Sequence, residues 1–450
     1  MPKSATRVTL ILLSALSFAL ECLFAPPLHA EEPRALPDYD GREEPAATPG
    51  EVLLWIPRIL LSPVYFVSEF LLRRPVGFLI AGAERAGVPA FLFDFFTFGA
   101  EHKAGVIPTA YVDFDFYPSV GLYAFWDDAG FDGHDLRLRG AFGGREWLSA
   151  SVAERFRFTS DPYNRVAIEA SLERRPDFTF FGLGPDSRQD DLMRYGQDTL
   201  ELRASWDQRL WRVSAVRFEA ALRKLRFRRG GFDGDPVLDE AIAAGEVPSP
   251  PGYAGGYELL RSTLALAFDS RLPRPAPGSG ARLATEVVHG ALLGSDGGFI
   301  RYGATLGGFI DLNDRARLLA LTVTARFADP IAGAEIPFTE LITLGGPEPM
   351  RGLYPGRLID RSAVVVGLGY RWPIWIWLDG GLRAEVGNVF GEHLSGLELS
   401  RMRWSAALGL DSNGSPDTAF TLGLGVGSET FESGADVNSF RIAGGATHGF

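Results

Sequence analysis

The chain has 450 residues, with 44 Lys and Arg against 56 Asp and Glu, and a formal net charge of −12. An acidic chain is poorly suited to neutralising phosphates, so nucleic acid is excluded as the main partner. Aromatic residues make up 12% and glycine 53 of the 450 residues, which favours β-structure with many turns.

Residues 1–30 have the pattern of a secretory signal peptide. Lys3 and Arg7 form the charged end, an apolar run follows, and Ala30 provides a small residue for cleavage. The apolar run is too short to form a membrane-spanning anchor helix. We therefore expect an exported chain.

Two segments separate the signal peptide from the rest. Residues 31–50 are acidic and rich in proline, which predicts a disordered leader. Residues 51–104 form an apolar, helical N-terminal segment, interrupted by Pro57, Pro63 and Pro75. It could form two buried helices. Alternatively, its helices could lie on a membrane face or close one end of a barrel. A spanning helix is a third alternative, but prolines and charges leave no clean run of about 20 residues.

From about residue 105 the hydrophobic period changes to two. In "DTLELRASWD", Leu200 and Leu202 alternate with Glu201 and Arg203. Alternation over about ten residues, with charges along the polar face, is typical of a transmembrane barrel strand. A soluble β-sandwich also alternates, but its strands average about 5–6 residues. We therefore predict that residues 105–450 form an outer-membrane β-barrel.

The alternating segments predict sixteen antiparallel strands. They lie near residues 106–116, 119–127, 134–143, 146–158, 164–174, 198–208, 211–226, 257–269, 281–290, 298–310, 315–328, 362–373, 377–389, 402–411, 417–427 and 438–449. The long loops at 175–197, 227–256 and 329–361 all follow odd-numbered strands. Long loops outside and short periplasmic turns are the arrangement of bacterial outer-membrane barrels.

The same alternation assigns side chains to the lumen and to the membrane. The predicted lumen-facing residues are Arg137, Glu201, Arg203, Arg217, Glu219, Arg371 and Arg383. In the last strand, Phe440, Ile442 and the terminal Phe450 share one face. A terminal aromatic residue of this kind is expected to be recognised by the outer-membrane insertion machinery. The expected surroundings are therefore the lipids of the bacterial outer membrane.

The sequence contains no convincing catalytic or metal-binding pattern. The only cysteine, Cys22, leaves with the signal peptide, so the mature chain lacks a thiol and a disulfide. No pair of histidines has the spacing of metal ligands. The Gly-x-Gly-x-Gly at 423–427 lies within an alternating strand and not at a strand-to-helix turn. We therefore predict that the chain is not an enzyme and needs no cofactor or metal.

One loop carries a family resemblance. The stretch "LGGPEPMRGLYPGR" at 344–357 follows the eleventh strand, and "FFGLGPDS", "AFDSRLPRPAPGSG" and "GGLRAEVGNVFG" occur at 180–187, 267–280 and 380–391. Together, in this order, they resemble the BamA/TamA-type barrel superfamily, also called the bacterial surface antigen family. The resemblance covers roughly residues 105–450.

The resemblance implies that the loop between strands 11 and 12 folds back into the barrel. Arg351 would then meet an acidic residue on the inner wall of strand 13, where the alternation places Glu385. A guanidinium and a carboxylate can form two parallel hydrogen bonds. Asp411 on strand 14 is a second candidate partner for Arg351, or a partner for Arg371 or Arg383. Gly352 would let the loop backbone pass close to the wall.

Three features depart from the family pattern. Leu353 replaces the usual aromatic residue after Arg-Gly, and Tyr354 follows one place later. The acidic residue is Glu385 and not aspartate. The stretch before the barrel does not have the pattern of a periplasmic β-α-α-β-β client-binding module, which makes a close analogy to the family's large members doubtful.

The resemblance implies insertion or translocation of an unfolded polypeptide, or of lipid, through a lateral seam. The seam would lie between the first and last strands and would be weakened by Gly444, Gly445 and Gly449. Two other functions remain open. The barrel could be a passive or gated solute pore with the loop as its constriction. It could also be a structural anchor that binds a partner through residues 52–98.

Overall fold

The structure is a computed structural model. It describes residues 59, 62–99, 101–272, 278–295, 297–312, 316–375, 377–412 and 420–446. The predicted signal peptide and leader, and the terminal residues Gly449 and Phe450, lie outside the described residues.

Sixteen antiparallel strands form one closed sheet. Each strand pairs with the next one along the chain, and the last strand pairs with the first. The strands are β1 Ala104–Asp113, β2 Ser119–Trp126, β3 His134–Gly144, β4 Trp147–Arg157, β5 Arg165–Phe180, β6 Met193–Trp211, β7 Ser214–Arg229, β8 Tyr257–Asp269, β9 Gly280–Leu292, β10 Gly298–Asp311, β11 Leu318–Ile331, β12 Ser362–Trp375, β13 Leu378–Phe390, β14 Arg403–Ser412, β15 Phe420–Ser428 and β16 Val437–Ala446. The prediction of a sixteen-stranded barrel is confirmed.

The two faces of the wall differ in polarity, as the alternation predicts. On β6, Leu200 and Leu202 are 57% and 51% exposed on the outer face. Glu201 between them is 3% exposed. Apolar side chains therefore face the hydrocarbon of the membrane, and charged side chains face the lumen.

The strands β5 and β6 are longer than predicted. The sequence predicts a loop over 175–197, but β5 continues to Phe180 and β6 begins at Met193. Pro176 and its charged neighbours suggest a loop, yet the ladder accommodates them by a register shift between Arg175 and Phe178. Strands of this length exceed the roughly 9–11 residues needed to cross a membrane, so they extend beyond it.

Short helices precede the barrel. They are α1 Ser62–Phe66, a π-helical turn at Val67–Arg73, α2 Arg74–Arg85 and α3 Val88–Phe96. A two-residue strand, Thr97–Phe98, then pairs with the start of β1. No single helix among the described residues is long and apolar enough to cross a membrane, although one pair bent by 67° would suffice by length and composition.

The first helices lie against the outer face of the wall. Val64 and Leu72 pack against Trp372 of β12 and the neighbouring Leu408 of β14. Trp372 lies on the same face of β12 as Leu368, which is exposed on the outside of the barrel. The part of the segment that contains α1 and the π-helical turn therefore lies on the membrane-facing side, one of the predicted alternatives.

Helix α3 lies on the opposite side of the wall. Its residues Leu92 and Phe96 pack against Ile107 of β1 and Tyr123 of β2. Tyr123 is buried, whereas the adjacent Leu122 is exposed on the outer face. Helix α3 therefore contacts the inner face at the periplasmic end of β1 and β2.

Apolar side chains from the loops and strand ends form a core at the extracellular end of the barrel. The loop between β7 and β8 contributes a fourth helix, α4 Leu238–Ala244, and the loop after β11 contains a small hairpin of Ile342–Leu344 with Leu358–Asp360. The buried members include Phe180, Tyr195, Leu238, Tyr253, Phe338, Leu344, Met350, Leu353 and Val389. Burial of this cluster holds the long loops together.

Candidate functional site: the loop anchors and the barrel seam

The tip of the loop between β11 and β12 is held by one carboxylate. The main-chain N–H of Met350 donates to Oε2 of Glu385 over 2.7 Å, and the N–H of Arg351 donates to the same atom over 3.3 Å. Met350 has a φ of 69°, in the left-handed region. Successive N–H groups in such a turn form a concave anion site. The buried Glu385 on β13 occupies it.

Gly352 brings the loop backbone into contact with three further strands. Its N–H donates to Oγ of Ser405 on β14 over 2.8 Å, and its carbonyl accepts from Oγ of Ser439 on β16 over 2.9 Å. A Cβ atom at this position would lie 1.9 Å from the carbonyl oxygen of Val426 on β15. Only glycine fits here, as the expected close passage of the loop backbone requires.

The guanidinium of Arg351 does not form the expected ion pair. No carboxylate of a described residue lies within 4.0 Å of it, because Glu385 binds the loop through main-chain N–H groups. Burial, followed by the nearby Arg383, lowers the pKa of Arg351, while Asp411 and Glu385 act in the opposite direction. Asp411 accepts a hydrogen bond from Oγ1 of Thr421 over 2.9 Å. The two predicted residues therefore meet, but not through the predicted atoms.

The departures from the family motif have structural explanations. Leu353 is fully buried and packs directly against Gly427 of β15, where little room exists. The hydroxyl of Tyr354 donates to Asp115, which follows β1 directly. The Tyr354 ring packs edge-on against Phe116. The aromatic residue therefore ties the loop to the region beside the first strand.

A second anchor of the loop was not predicted from the sequence. Glu340 is almost fully buried and accepts hydrogen bonds from Arg223 of β7 over 3.1 Å and Tyr257 of β8 over 2.9 Å. Arg301 of β10 lies 3.7 Å away. A lone glutamate in the apolar stretch "IPFTELITL" was the available signal, since such a residue requires an internal partner.

The predicted lumen-facing residues form charged networks with partners from neighbouring strands. Glu201 accepts from Arg203 over 2.9 Å and from Arg223 over 2.6 Å. Glu219 accepts from Arg261 over 2.9 Å. Further pairs are Arg137 with Asp127, Arg217 with Asp207, and Arg371 with Asp379. These six predicted residues are therefore paired, whereas Arg383 lies near the like charge of Arg351.

The extracellular loops are joined by a buried cluster that the sequence did not reveal. Arg357 donates to Oγ of Ser187 over 2.9 Å and to Glu429 over 3.2 Å. Arg403 donates to Glu429 and, over 2.7 Å, to the carbonyl of Ser187. Burial, with the nearby Arg403, lowers the pKa of Arg357 to about 10. The Gln189 N–H and the Asn438 side chain also donate to Glu429, so groups from four separate segments share one carboxylate.

The described part of the seam between β16 and β1 ends at Ala446. Its register covers three pairs among the described residues, namely Ala443 with Asp113, Gly444 with Val112 and Gly445 with Tyr111. By comparison, β14 and β15 have seven pairs in register, and β6 and β7 have sixteen. Among the described residues, the seam therefore has fewer registered pairs than the β6–β7 hairpin.

Two features hold this seam. Arg441 of β16 and Asp113 of β1 form a buried, two-point ion pair at 2.6 and 3.1 Å. Gly445 has a φ of 139°, and a Cβ atom there would lie 2.2 Å from the carbonyl oxygen of Ala110. Phe440 is exposed on the outer face and Ile442 shares its parity, as predicted for the last strand.

Comparison with known proteins agrees with this geometry. The Omp85 superfamily domain matches residues 132–416. BamA from Haemophilus ducreyi lacking POTRA domains 1–3 has a TM-score of 0.51 and 14% identity, covering 76% of this chain and 70% of that chain. CdiB from Escherichia coli has a TM-score of 0.49 and 11% identity, covering 76% of this chain and 63% of that chain. No curated protein matches the chain.

The likeness to BamA, at 14% identity, shows the fold alone, whereas the domain match covers more than half of the 450 residues. Residues 62–99 form short helices and one two-residue strand, so this described part contains no β-α-α-β-β module. The barrel is an outer-membrane protein, and the chain belongs to the Omp85 superfamily.

Proposed function

We propose that this barrel inserts or translocates polypeptide, or lipid, at the outer membrane by lateral opening of the β1–β16 seam, without a catalytic step. The observation that carries the proposal is the three-pair register between these strands. An edge strand with free N–H and C=O groups can pair with an added strand. A client segment would use the edge exposed on β1 or β16.

The seam opens from its periplasmic side in this proposal. The registered pairs lie at the extracellular end of β1, near Asp113. The described residues end at Ala446, and none of them pairs with residues 106–110 of β1 on the seam side. At its periplasmic start, β1 pairs with Thr97–Phe98. In this proposal, a client strand arriving from the periplasm displaces the Thr97–Phe98 strand from the start of β1.

The loop anchors limit where the wall moves. Gly352 is hydrogen-bonded to Ser405 and Ser439, so β14 and β16 are held to the same loop. Tyr354 holds the loop to Asp115 beside β1. Seam opening then separates β1 from β16 while the main-chain pairing among β13 to β16 stays intact.

A gated pore is the second candidate. A cavity of about 600 Å³ lies along the inner face of β7 to β11 and contains Arg217, Arg282 and Arg301. Its charged lining supports a water-filled lumen. The buried core around Phe338 and Tyr253 blocks the extracellular end. For a pore, removal of residues 345–357 should enlarge the conductance in a planar bilayer.

The test of the proposal compares the outer-membrane and secreted proteomes of a strain lacking this gene with those of complemented strains. One complementing variant carries Val112→Cys and Gly444→Cys, which face each other across the seam. Its matched control carries Thr305→Cys and Thr324→Cys, which face each other between β10 and β11. We expect specific proteins to be lost without the gene and restored by wild type and the control.

The oxidised seam variant should not restore them, and its reduction should. Full complementation by the oxidised, folded seam variant would rule out lateral opening. An unchanged proteome in the strain lacking the gene would refute a polypeptide client. The lipid alternative is then tested by outer-membrane lipid composition in the same strains, where no change would reject it as well.

A further inference from the structure

An apolar cleft lies between the N-terminal helices and the outer face of the barrel. Its volume is about 260 Å³. Val64, Val67 and Leu72 line it on the helical side, and Trp372, Leu382 and Leu408 line it on the wall. These wall residues come from three neighbouring strands, β12, β13 and β14.

The cleft belongs to the membrane side of the wall. Leu382 is on the same face of β13 as Val386, and Trp372 is on the same face of β12 as Leu368. Val386 and Leu368 are both exposed apolar side chains on the outer face. Since hydrocarbon surrounds this face, an apolar cleft here is suited to an acyl chain and not to water.

A cluster of arginines surrounds a single carboxylate on the same helices. Glu69 lies 3.0 Å from Arg73, 3.6 Å from Arg74 and 3.1 Å from Arg317. The side chain of Arg74 is 65% exposed and lies 4.4 Å from the ring centre of Phe70. One carboxylate shared by three guanidinium groups leaves positive charge beside the cleft. This charge favours an anionic headgroup.

The depth of the cluster fits the headgroup region of the periplasmic leaflet. Arg317 immediately precedes β11, at its periplasmic end. Tyr65 packs under the Arg317 guanidinium at 4.8 Å, and the Trp375 indole donates to Glu84 over 3.0 Å. Tryptophan and tyrosine concentrate at membrane interfaces in barrel proteins.

Trp372 forms part of the apolar wall of the cleft. Its side chain is 1% exposed, and its ring lies over Gly380 of β13. The cleft therefore offers an apolar surface to an acyl chain, and the polar part of the ligand is left to the arginines beside it.

We propose that this junction is a binding site for an anionic phospholipid of the periplasmic leaflet. One acyl chain occupies the cleft, and the phosphate lies beside Arg74. The helices then bind the wall through a lipid as well as through direct packing. The site concerns the N-terminal helices and stands whether or not the seam handles a client.

The experiment measures lipid binding to the purified full-length barrel in mild detergent by native mass spectrometry. Phosphatidylglycerol and phosphatidylethanolamine are titrated separately. Arg74→Gln should weaken phosphatidylglycerol binding about fivefold and leave phosphatidylethanolamine binding nearly unchanged. Arg85→Gln is the matched control, since Arg85 is an exposed arginine of α2 that donates to the carbonyl of Ala81.

The apolar part is tested by Leu408→Trp, which fills the cleft and should reduce binding of both lipids. Leu368→Trp is the control on the outer face away from the cleft. Leu382→Trp fills the cleft from β13 and should also reduce binding of both lipids. This variant carries the test if Leu408→Trp does not reach the compact, heat-modifiable state on gels.

Phosphatidylglycerol binding equal to wild type in Arg74→Gln would overturn the assigned headgroup site. Binding of both lipids equal to wild type in folded Leu408→Trp, or in Leu382→Trp if that variant carries the test, would overturn the assigned acyl-chain site. Millimolar inorganic phosphate should not displace phosphatidylglycerol. Displacement by phosphate would mean that the arginines form an anion site without the cleft, contrary to the proposal.

Discussion

The β6–β7 hairpin and the β1–β16 seam are opposite extremes of one sheet. The first pairs sixteen residues in register across strands of 19 and 16 residues. The second pairs three among the described residues and depends on a glycine with a left-handed φ. Since each registered pair adds main-chain hydrogen bonds and side-chain contacts, the described part of the seam is held by fewer such contacts than the β6–β7 hairpin.

The comparison also separates the seam from the strands beside it. The loop tip is bound by Glu385 of β13, Ser405 of β14 and Ser439 of β16. These contacts join the loop tip to three of the last four strands, whereas beside β1 the loop is held through Tyr354 and Asp115. Among the described residues, strand pairing is therefore reduced at one boundary of the sheet, the one between β1 and β16.

The largest effect is expected from breaking the buried ion pair of the seam. Arg441→Met leaves Asp113 without its partner, which should destabilise the barrel by about 3–5 kcal/mol. The unfolding midpoint in denaturant measures the loss. The double variant Arg441→Met with Asp113→Leu removes both charges and should recover most of it. An equal loss in the single and double variants would contradict this account of the seam.

The next effect concerns the loop anchor. Glu385→Ala leaves the N–H groups of Met350 and Arg351 without their acceptor, which should cost about 2–4 kcal/mol. Glu385→Gln retains an acceptor and should cost less. Arg351→Gln keeps both N–H groups and should change stability by less than about 1 kcal/mol. If Arg351→Gln lowers the free energy of unfolding more than Glu385→Ala does, the principal contact is the ion pair between the Arg351 guanidinium and the Glu385 carboxylate.

A smaller effect, confined to the seam, is expected from its glycine. Gly445→Ala forces a side chain into a left-handed φ and against the carbonyl of Ala110, at a cost of about 1–3 kcal/mol. Gly444→Ala is the matched control, because the Cβ atom would first meet the flexible side chain of Leu422. Hydrogen exchange should accelerate in β1 and β16 of the Gly445 variant. Equal exchange in the two variants would contradict the assigned role of Gly445.

The smallest effect is a pH dependence of the extracellular cluster. Burial raises the pKa of Glu429, but hydrogen bonds from Arg403 and the Gln189 N–H, with the charge of Arg357, lower it overall. Its contribution to stability is therefore present above the ordinary glutamate pKa and is lost as the pH falls through the lowered value. Proteolysis of loop 181–192 should increase at acidic pH, below the ordinary glutamate value of 4.5.

Glu429→Gln is the control for this pH effect. It should make the loop cleavable already at neutral pH and flatten the dependence. If the rate of proteolysis of the wild-type loop does not change between pH 7 and pH 3, and the Glu429→Gln loop is cleaved at the same rate, then Glu429 does not hold the loop closed.

The number and position of the strands could be predicted because one face of each strand must suit lipid. Glu201 between Leu200 and Leu202 already assigns both faces of β6. The contacts of Glu385 could not be predicted, because alternation locates a side chain on the wall but does not say which loop atoms reach it. The positive φ of Met350, which turns two N–H groups to the carboxylate, is a property of the folded turn.

Other parts of the site were not predicted for different reasons. Glu340 and Arg357 lie in loops, where no periodic pattern assigns a side chain to the inside, and only the apolar neighbours of Glu340 indicate its burial. The N-terminal segment is apolar on more than one face, since α1 contacts the outer wall and α3 the inner wall. The hydrophobic pattern of this segment is therefore compatible both with helices on the membrane face and with helices that close one end of the barrel.

The most direct test of the central claim is amide hydrogen exchange of the barrel in lipid nanodiscs, followed strand by strand. The account predicts that residues 111–113 and 443–445 exchange faster than any registered pair of β6 and β7. It also predicts that β13 to β15 stay protected while the seam exchanges. Protection at the seam equal to that of the β6–β7 hairpin would contradict a weak line between the first and last strands.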